Sequence, residues 1–377
     1  MSLPPPAPAT TVTVFAALQH LPDPRDQRGK RHELAFVLCG VILALMAGRS
    51  RVSAIHRFVL NRFAWLRELT QASVVRCISR AQLPRVLARG EWTALQPLLQ
   101  TYLGIAVASP APGEWVAIDG KALRGSPGEQ MVLARTHQSG KLLAHRPLSG
   151  PKRSEVTTVR VLLTQPPLVG RNITLDALHC NPRTTALIHQ AQGHYLVQVK
   201  ANQAVLLAAV QARAAATPPL GTCQRVDKAH GRLEERQAAF FSLAALPLPP
   251  RWQHSGLDTV VRVDRTTTQL TTAKRTHTVA YYVTNQGATT PTAHLDLFTA
   301  IRGHWGCEAD NWIRDVTLQE DQILVKQPTQ AHVLGALRTL VLGLFRKAGV
   351  RKVRALLDNL ADSPTLFKQL LCQVGFL

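Results

Sequence analysis

The stretch EWVAIDGKALRGS, residues 114–126, decides the fold of this chain because it ends an apolar run on an acidic residue. The apolar run predicts a buried strand, and Asp119 closes it. Gly120, Lys121 and Arg124 follow at once. A carboxylate placed beside two cations at the end of a strand requires a chemical reason, and the elements around it supply one.

The segments after Asp119 alternate between strand and helix signals. Two β-rich runs, MVLART and KLLAHRPL, are separated by the turn-forming HQSG, so the first three strands are expected to form a meander. Helical and strand patterns then alternate. The predicted elements are a helix at 154–165, a strand at 172–176, a helix at 183–192 and a strand at 194–200. The order βββαβαβ follows, which predicts an α/β fold.

This order is typical of a ribonuclease H-like fold, in which the first and fourth strands lie side by side. Asp119 ends the first predicted strand and Asp176 ends the fourth. An Asp at a strand end is more often a turn or cap residue when taken singly. Together, at these two positions, the two residues are candidate ligands of a hard divalent cation such as Mg²⁺. A third carboxylate is then expected from a helix.

Composition and periodicity divide the chain into regions. The predicted regions are a disordered Pro-rich tip at 1–12, an all-α DNA-binding or associated domain at 13–107, the first part of a ribonuclease H-like catalytic core at 108–203, a partly β insertion at 204–290, and at 291–377 the helical remainder of the core, carrying the third acid, with C-terminal helices. The linker ASPAPGE, residues 108–114, is expected to separate the all-α domain from the core.

The charge of the chain predicts a polyanionic partner. Its 44 Lys and Arg residues against 23 Asp and Glu give a formal net charge of +21. Nine arginines and only two acids lie between Arg49 and Glu91. Nucleic acid is the leading candidate partner, and a basic protein without such a partner is the alternative.

Cysteine usage and hydropathy predict a cytoplasmic protein. The six cysteines are scattered, with no spacing typical of a metal site or a disulfide framework. The first residues lack the pattern of a signal peptide. The apolar run from Leu34 to Gly48 has 15 residues, fewer than the ~20 that a membrane helix needs, and predicts a buried helix. No membrane association is expected.

The stretch IRGHWGCEADNWIRDVTLQED, residues 301–321, offers the third carboxylate. Its acids are Glu308, Asp310, Asp315, Glu320 and Asp321. Helical spacing would place His304, Glu308, Trp312 and Asp315 on one face, where acids, a ring nitrogen and an aromatic could face the same site. The alternative is a surface helix with solvated acids.

Six blocks in this order resemble a known family. They are LPDPRDQRGKRHELA, VAIDGKALRGS, LDALHCN, LVQVKANQ, HGRLEER and IRGHWGCE...RDVTLQED. They closely resemble the ISAs-type insertion-sequence transposases, also called H-repeat-associated proteins, over roughly residues 15–350. That family belongs to the DDE transposases, whose ribonuclease H-like core uses Asp, Asp and Glu to hold two metal ions. The resemblance implies that Asp119, Asp176 and Glu308 are catalytic and hold Mg²⁺, for which Mn²⁺ can substitute.

The resemblance also implies metal-dependent cleavage at the ends of a bacterial mobile element, followed by transfer of the freed 3′-hydroxyl to target DNA. The expected partner is double-stranded DNA, both the terminal inverted repeats and the target, with a homodimer in the DNA complex and a nucleoid-associated location. The residues expected to contact DNA are Lys121, Arg124, Lys200, His230, Arg232, Arg302 and His304. Glu155 resembles a family Glu and is interpreted as a surface helix residue.

Two alternatives belong to other classes. One is a catalytically inactive, transposase-derived DNA-binding protein, suggested by departures from the family pattern such as Cys307 and Ala309 around Glu308 and Asn181 after the second acid. The other is a ribonuclease H-like nuclease acting on RNA or hybrids. The long insertion before Glu308 and the separate basic N-terminal region argue against the nuclease.

Overall fold

The computed structural model describes most of the chain between residues 13 and 376. The described residues are 13–90, 95, 113–126, 129–148, 154–166, 168–229, 231–244, 246–350 and 352–376. The predicted Pro-rich tip, residues 1–12, lies outside this set, as does most of the predicted linker at 108–114.

Within the described residues, nine strands form one mixed sheet. The strands are β1 Val116–Ala122, β2 Gln130–Thr136, β3 Leu142–Pro147, β4 Ile173–Leu175, β5 Tyr195–Val199, β6 Gly221–Ala229, β7 Arg232–Ser242, β8 Thr259–Gln269 and β9 Arg275–Thr284. Their order across the sheet is β3-β2-β1-β4-β5-β9-β8-β7-β6. The α/β class is therefore confirmed, and residues 116–199 follow the predicted order of three strands, helix, strand, helix, strand.

The segment predicted as a partly β insertion extends the same sheet. Strands β6 to β9 form an antiparallel meander, and β9 pairs antiparallel with β5 from Leu196↔Thr284 to Val199↔Tyr281. Strands β1, β4 and β5 are parallel to one another. The inserted strands thus lengthen the sheet on the side of β5, beyond the parallel part where Asp119 and Asp176 lie.

Helices cover both faces of the sheet. One face packs against α6 Glu155–Leu163, α7 Pro182–Gln190 and α8 Ala204–Ala216. The other face packs against α9 Pro291–Gly303, which buries Leu297 and Phe298 against β5, β7 and β8. Helix α10, Trp305–Trp312, follows α9 directly and lies against β1 and β2. Two-sided burial explains why β4 and β5 are mostly apolar, with Thr174 and Gln198 as their polar residues.

The N-terminal and C-terminal helices share one hydrophobic core. The N-terminal helices are α1 Val14–Gln19, α2 Leu34–Met46, α3 Val52–Asn61, α4 Phe63–Thr70 and α5 Gln82–Arg89, and the C-terminal helices are α11 Pro328–Lys347, α12 Val353–Asp362 and α13 Pro364–Gln373. Both α2 and α11 are buried along most of their length. The buried helix predicted from the apolar run at 34–48 is therefore confirmed. No helix among the described residues has the length and apolar character needed to cross a bilayer.

Candidate active site

Two aspartates lie next to each other where the parallel pairing of β1 with β4 ends. The prediction that Asp119 closes the first strand was wrong, because β1 continues to Ala122 and stays paired with β2. Strands β1 and β4 pair in register, with Ile118 opposite Leu175, so the residues that follow, Asp119 and Asp176, occupy neighbouring positions. Asp176 also caps the short 3-10 helix Ala177–His179, because its Oδ1 accepts a hydrogen bond from the Leu178 backbone at 3.0 Å. The cap ends the strand and leaves the Asp176 carboxylate partly exposed beside Asp119.

Helix α10 brings a third acid to the same place. The Cys307 thiol lies 3.6 Å from the Ala117 carbonyl oxygen, and Asn311 Nδ2 donates to Asp119 Oδ2 at 3.2 Å, so the helix is held against β1. Glu308 lies between these two contacts in the sequence. Asp119, Asp176 and Glu308 line one cavity of about 620 Å³. The three predicted acids therefore line the same cavity.

The charges of these acids reinforce one another. Burial raises the pKa of Asp119 to about 6, and repulsion from Asp176 and then from Glu155 adds to this effect. Glu308 contributes to the same rise, while a hydrogen bond from the Gly120 backbone opposes it. Burial also raises the pKa of Glu308. A cluster of carboxylates without a facing cation is costly, and a bound cation would relieve it.

Glu155 is a fourth acid of this cluster, and its interpretation as a surface residue was wrong. It is the first residue of α6, and its carboxylate fills the space above Gly120, where a Cβ atom would lie 2.0 Å from Glu155 Oε2. His179 Nε2, on a fully buried ring, lies 2.9 Å from Glu155 Oε1 and 3.9 Å from Asp176 Oδ1. The Glu155 carboxylate therefore explains why a glycine directly follows Asp119, since any side chain at position 120 would collide with it.

The other four acids of the 301–321 stretch have partners of their own. Asp310 lies 2.6 Å from Arg135 Nε and 2.8 Å from Arg346 Nη2. Glu320 is buried against Arg314, at 2.9 and 3.0 Å. The remaining two, Asp315 and Asp321, contact Lys121.

The helical face predicted to carry Glu308 and Asp315 does not continue to Asp315. The chain changes from α-helix to π-helix at Ile313–Thr317, which alters the rotation per residue. Asp315 consequently points to Lys121 rather than into the cavity with Glu308. The predicted face required a regular α-helix up to Asp315, and the π-helix at Ile313–Thr317 changes the direction of the side chains within it.

The cations predicted to contact DNA fall into two groups. Lys200, Arg302 and His304 line the cavity with the acids, and the first two are exposed and make no ion pair with any described residue. The ring of His304 is hydrogen-bonded to Thr174 Oγ1 at 3.0 Å, and burial lowers its pKa, so it is a neutral packing residue at pH 7.

The second group lies away from the cavity. The side chain of Lys121 is 4% exposed and its amine contacts Asp315, Glu320 and Asp321, so the structure does not present it to a ligand. Arg124 is 81% exposed, with Nε 3.6 Å from Asp321. Arg232 is exposed at the start of β7, and His230 lies outside the described residues.

Three arginines of the inserted strands also line the cavity, and the sequence analysis missed them. Arg225, Arg236 and Arg265 come from β6, β7 and β8. Arg225 and Arg236 are paired with Asp227 at 3.0 and 2.9 Å. Arg265 lies 3.6 Å from Glu234 Oε1 and 6.0 Å from the ring of the exposed Trp305. Each strand alternates between two faces, and nothing in the sequence says which face meets the acids.

The carboxylates of Asp119, Asp176 and Glu308 are suitable ligands for a hard cation, although they do not form a complete coordination site. Among the described residues, no three His, Cys, Asp or Glu side chains are grouped closely enough to form a complete metal site. Carboxylate oxygens are the ligands that Mg²⁺ and Mn²⁺ prefer. Mutual repulsion at Asp119 also leaves the cluster in need of positive charge. The residues therefore fit a divalent cation by chemistry and charge.

Comparison with known proteins finds relatives of this chain. Residues 15–103 match the family model described as DDE_Tnp_1-associated. The chain is 24% identical over 356 residues to the putative transposase YncI of Escherichia coli O157:H7, covering 89% of this chain and 88% of that protein. It is 24% identical over 361 residues to the H repeat-associated putative transposase YhhI of Escherichia coli K12, covering 88% and 91%. The chain is a relative of the H-repeat transposases. The resemblance that the six sequence blocks indicated is thereby confirmed.

A third relative extends the similarity beyond Escherichia coli. An uncharacterized protein in the dhlA 3′ region of Xanthobacter autotrophicus is 28% identical over 256 residues, or 65% of this chain and 85% of that protein. The family-model match covers the N-terminal helices, while the matches to whole proteins extend over the sheet and its acids. The transposase relationship therefore applies to the helical and the α/β parts of the chain.

Proposed function

We propose that this H-repeat relative is a DDE transposase that cuts DNA at the ends of a mobile element and joins the freed 3′-hydroxyl to target DNA. One observation carries the proposal: Asp119 and Asp176 follow paired positions of β1 and β4, and Glu308 lines the same cavity. Two neighbouring carboxylates and a third from a helix are the donor set that phosphoryl transfer with divalent cations requires.

In this proposal, Asp119, Asp176 and Glu308 hold Mg²⁺, with Mn²⁺ as a substitute. The ions would supply positive charge against the phosphate oxygens that gain charge during transfer. Asn311 orients Asp119 through its 3.2 Å hydrogen bond, and the His179 ring holds Glu155 beside the cluster. No covalent bond to the protein is needed, because water and then the 3′-hydroxyl are sufficient nucleophiles.

The strand order supports a ribonuclease H-like core for this reaction. The central order β3-β2-β1-β4-β5, with the first three strands antiparallel and β1, β4 and β5 parallel, is the arrangement that such a core has. In this reading β6 to β9 are an insertion between the fifth strand and the helix with Glu308. The insertion adds Arg225 and Arg265 to the rim of the cavity.

The substrate proposed for this cavity is double-stranded DNA. Lys200 and Arg302 are exposed cations beside the acids, and they would hold the phosphates on either side of the scissile bond. Because two element ends must be joined to one target, we also propose that two copies of the chain act together in the DNA complex. Binding to DNA would place the protein at the nucleoid.

The experiment that tests this function is metal-dependent cleavage of a duplex that carries an element end. Asp119→Asn and Asp176→Asn remove charge but keep shape, so cleavage in Mg²⁺ or Mn²⁺ is expected to fall below detection while DNA binding survives. Glu308→Gln should do the same. Asp315→Asn is the matched control on the same stretch, and it should leave a measurable rate because its carboxylate faces Lys121.

A catalytically inactive DNA-binding protein is the second candidate. It is favoured by the lack of a closed three-ligand group among the described residues. The two candidates differ in one outcome. If the wild type binds an element-end duplex but neither Mg²⁺ nor Mn²⁺ produces strand breaks, or if the Asp119→Asn variant cuts as well as the wild type, the transposase mechanism fails.

A further inference from the structure

A second basic surface lies on the N-terminal helices, apart from the cavity with the acids. It is a groove of about 960 Å³ between the loop at 25–33, the segment at 73–79 and helix α5. Six arginines line it: Arg25, Arg28, Arg31, Arg76, Arg85 and Arg89. Glu33 is the one acid among the described lining residues. We call this surface the arginine groove. It shares no lining residue with the cavity that contains Asp119.

The charges of the arginine groove are not neutralised. Five of its arginines, Arg28, Arg31, Arg76, Arg85 and Arg89, are exposed and form no ion pair with any residue in the described part of the chain. Like charges held close together repel each other, and a guanidinium fork matches the oxygens of a phosphate. The groove therefore has the charge and the donor geometry to bind an anion that carries phosphate groups.

The floor of the groove is built around a buried arginine. Arg25 is 5% exposed, and it donates to both carboxylate oxygens of Asp23, at 2.8 and 2.7 Å, and to the His32 carbonyl at 2.7 Å. These bonds tie together the two ends of the loop that carries Arg28 and Arg31. Arg25 Nη1 is also buried, and it has no hydrogen-bond partner among the described residues. A buried donor without a partner is costly unless a ligand or water satisfies it.

Helix α5 presents its arginines to the groove because of its amphipathic pattern. Leu83, Val86 and Leu87 are buried, and they pack this helix against α11 and the shared helical core. Arg85 and Arg89 are four residues apart, so they lie one turn apart on the exposed side. The core thus holds α5 in place, and its two arginines face the groove from a rigid support.

We propose that the arginine groove binds the phosphate backbone of double-stranded DNA, at a site distinct from the cavity where the strand is cut. The identity of the partner rests on the proposed function. The presence of a binding site rests on the unpaired arginines and the buried Arg25. Three segments of the chain, the loop at 25–33, the segment at 73–79 and helix α5, supply the arginines that line the groove, which suits a phosphate backbone lying in it. An anionic lipid surface presents its charges in a plane, which an outward-facing basic patch matches better than a groove does.

Salt dependence of DNA binding tests this proposal. The probe is a fluorescein-labelled duplex of about 30 base pairs and arbitrary sequence, titrated by fluorescence anisotropy between about 50 and 300 mM KCl. Each phosphate neutralised by a groove arginine contributes about −0.9 to the slope of log K against log salt. Arg85→Ala with Arg89→Ala should make the slope shallower by about 1.8. Arg28→Ala with Arg31→Ala, on the loop at 25–33, should do the same.

The matched control removes two exposed cations from the C-terminal helices. Arg354→Ala with Lys368→Ala changes the net charge equally but does not touch the groove, so its slope should equal that of the wild type. All variants are compared by thermal unfolding, and the exposed positions of the four groove arginines make unchanged transitions the expectation. If both groove pairs keep the wild-type slope, or shift it no more than the control, the proposal is overturned.

Two further measurements separate this proposal from its rivals. Vesicles that contain phosphatidylserine replace the duplex in one arm, and loss of vesicle binding with unchanged duplex binding would mean a membrane surface instead. The titrations are repeated in the Asp119→Asn background, which does not need cleavage to report binding. If the wild type does not cut DNA but the groove substitutions still weaken DNA binding, the groove proposal stands and only the transposase mechanism fails. If the wild type cuts DNA and the groove variants bind DNA as the wild type does, the groove proposal fails and the transposase mechanism stands.

Discussion

Neutralising Asp119 should stabilise the metal-free protein, although it should also abolish the proposed reaction. Asp119 is largely buried, and burial followed by repulsion from Asp176 and Glu155 raises its pKa to about 6. The unperturbed value is 3.8. A group whose carboxylate is disfavoured in the folded state lowers stability at every pH where it is ionised. Asp119→Asn removes that charge and can still accept the 3.2 Å hydrogen bond from Asn311.

The size and sign of this effect follow from the pKa. Because the folded pKa lies above the unfolded one, the cost is absent below about pH 4, grows between the two values, and is complete above about pH 6. A rise from 3.8 to about 6 corresponds to about 3 kcal/mol. Partial burial of the new amide offsets some of this gain, so we expect the variant to be more stable by about 1 to 3 kcal/mol near neutral pH.

The assay is thermal unfolding in the presence of a chelator. The gain in stability of Asp119→Asn over the wild type should be large at about pH 7.5 and smaller at about pH 5. Mg²⁺ at a hundredfold excess over its Kd should raise the free energy of unfolding of the wild type by about 2.7 kcal/mol. It should leave the free energy of unfolding of the variant nearly unchanged. Asp310→Asn, on the helix α10 that packs against β1, is the control, and it should be less stable because Arg135 and Arg346 lose their partner. A less stable Asp119→Asn protein at both pH values would refute the reasoning.

Two further predictions, each with a comparison variant, concern the surroundings of the acids. Gly120→Ala should push Glu155 away from His179, because the added Cβ would lie 2.0 Å from Glu155 Oε2; we expect element-end cleavage to fall about 10- to 100-fold with a nearly unchanged unfolding transition. Glu155→Gln, which keeps the shape, should lose less than Gly120→Ala if position rather than charge matters. Glu320→Gln should lower stability by about 3 to 5 kcal/mol in urea unfolding, because Arg314, Arg338 and Lys121 would share no buried carboxylate; Asp321→Asn, at a more exposed site, should cost clearly less.

The local part of the fold could be predicted from the sequence. Apolar runs, turn residues and helical periodicity between 116 and 199 are properties of neighbouring residues, and the structure has the same order of elements. The pairing of β9 with β5 joins segments about eighty residues apart, and no local signal encodes it. The insertion could therefore be predicted from the sequence. That its strands continue the sheet beside the cavity could not be predicted.

The candidate site shows the same limit at the level of single residues. Asp119 and Asp176 follow from strand order, and Glu308 followed from the family blocks. Lys121 looked like a ligand for phosphate because its partners Asp315 and Glu320 lie almost two hundred residues away in the sequence. Glu155 looked like a solvated helix residue because its partner His179 belongs to another element. Charged residues in isolation are ambiguous, and their partners decide whether they bind a ligand or hold the fold.

The shared helical core connects the arginine groove to the acids. Helix α11 packs against α2 and α5 on one side, and its Thr339 is hydrogen-bonded to His145 of β3 at 3.0 Å. Arg338 of the same helix donates to the Ser50 carbonyl at 3.2 Å and lies 3.6 Å from Glu320, which in turn lies near Lys121 of β1. DNA held in the groove would thus be held by a body continuous with the strand that carries Asp119. Binding energy from phosphates remote from the reaction could then position the scissile bond, which is the use of remote contacts that raises the rate of a chemical step.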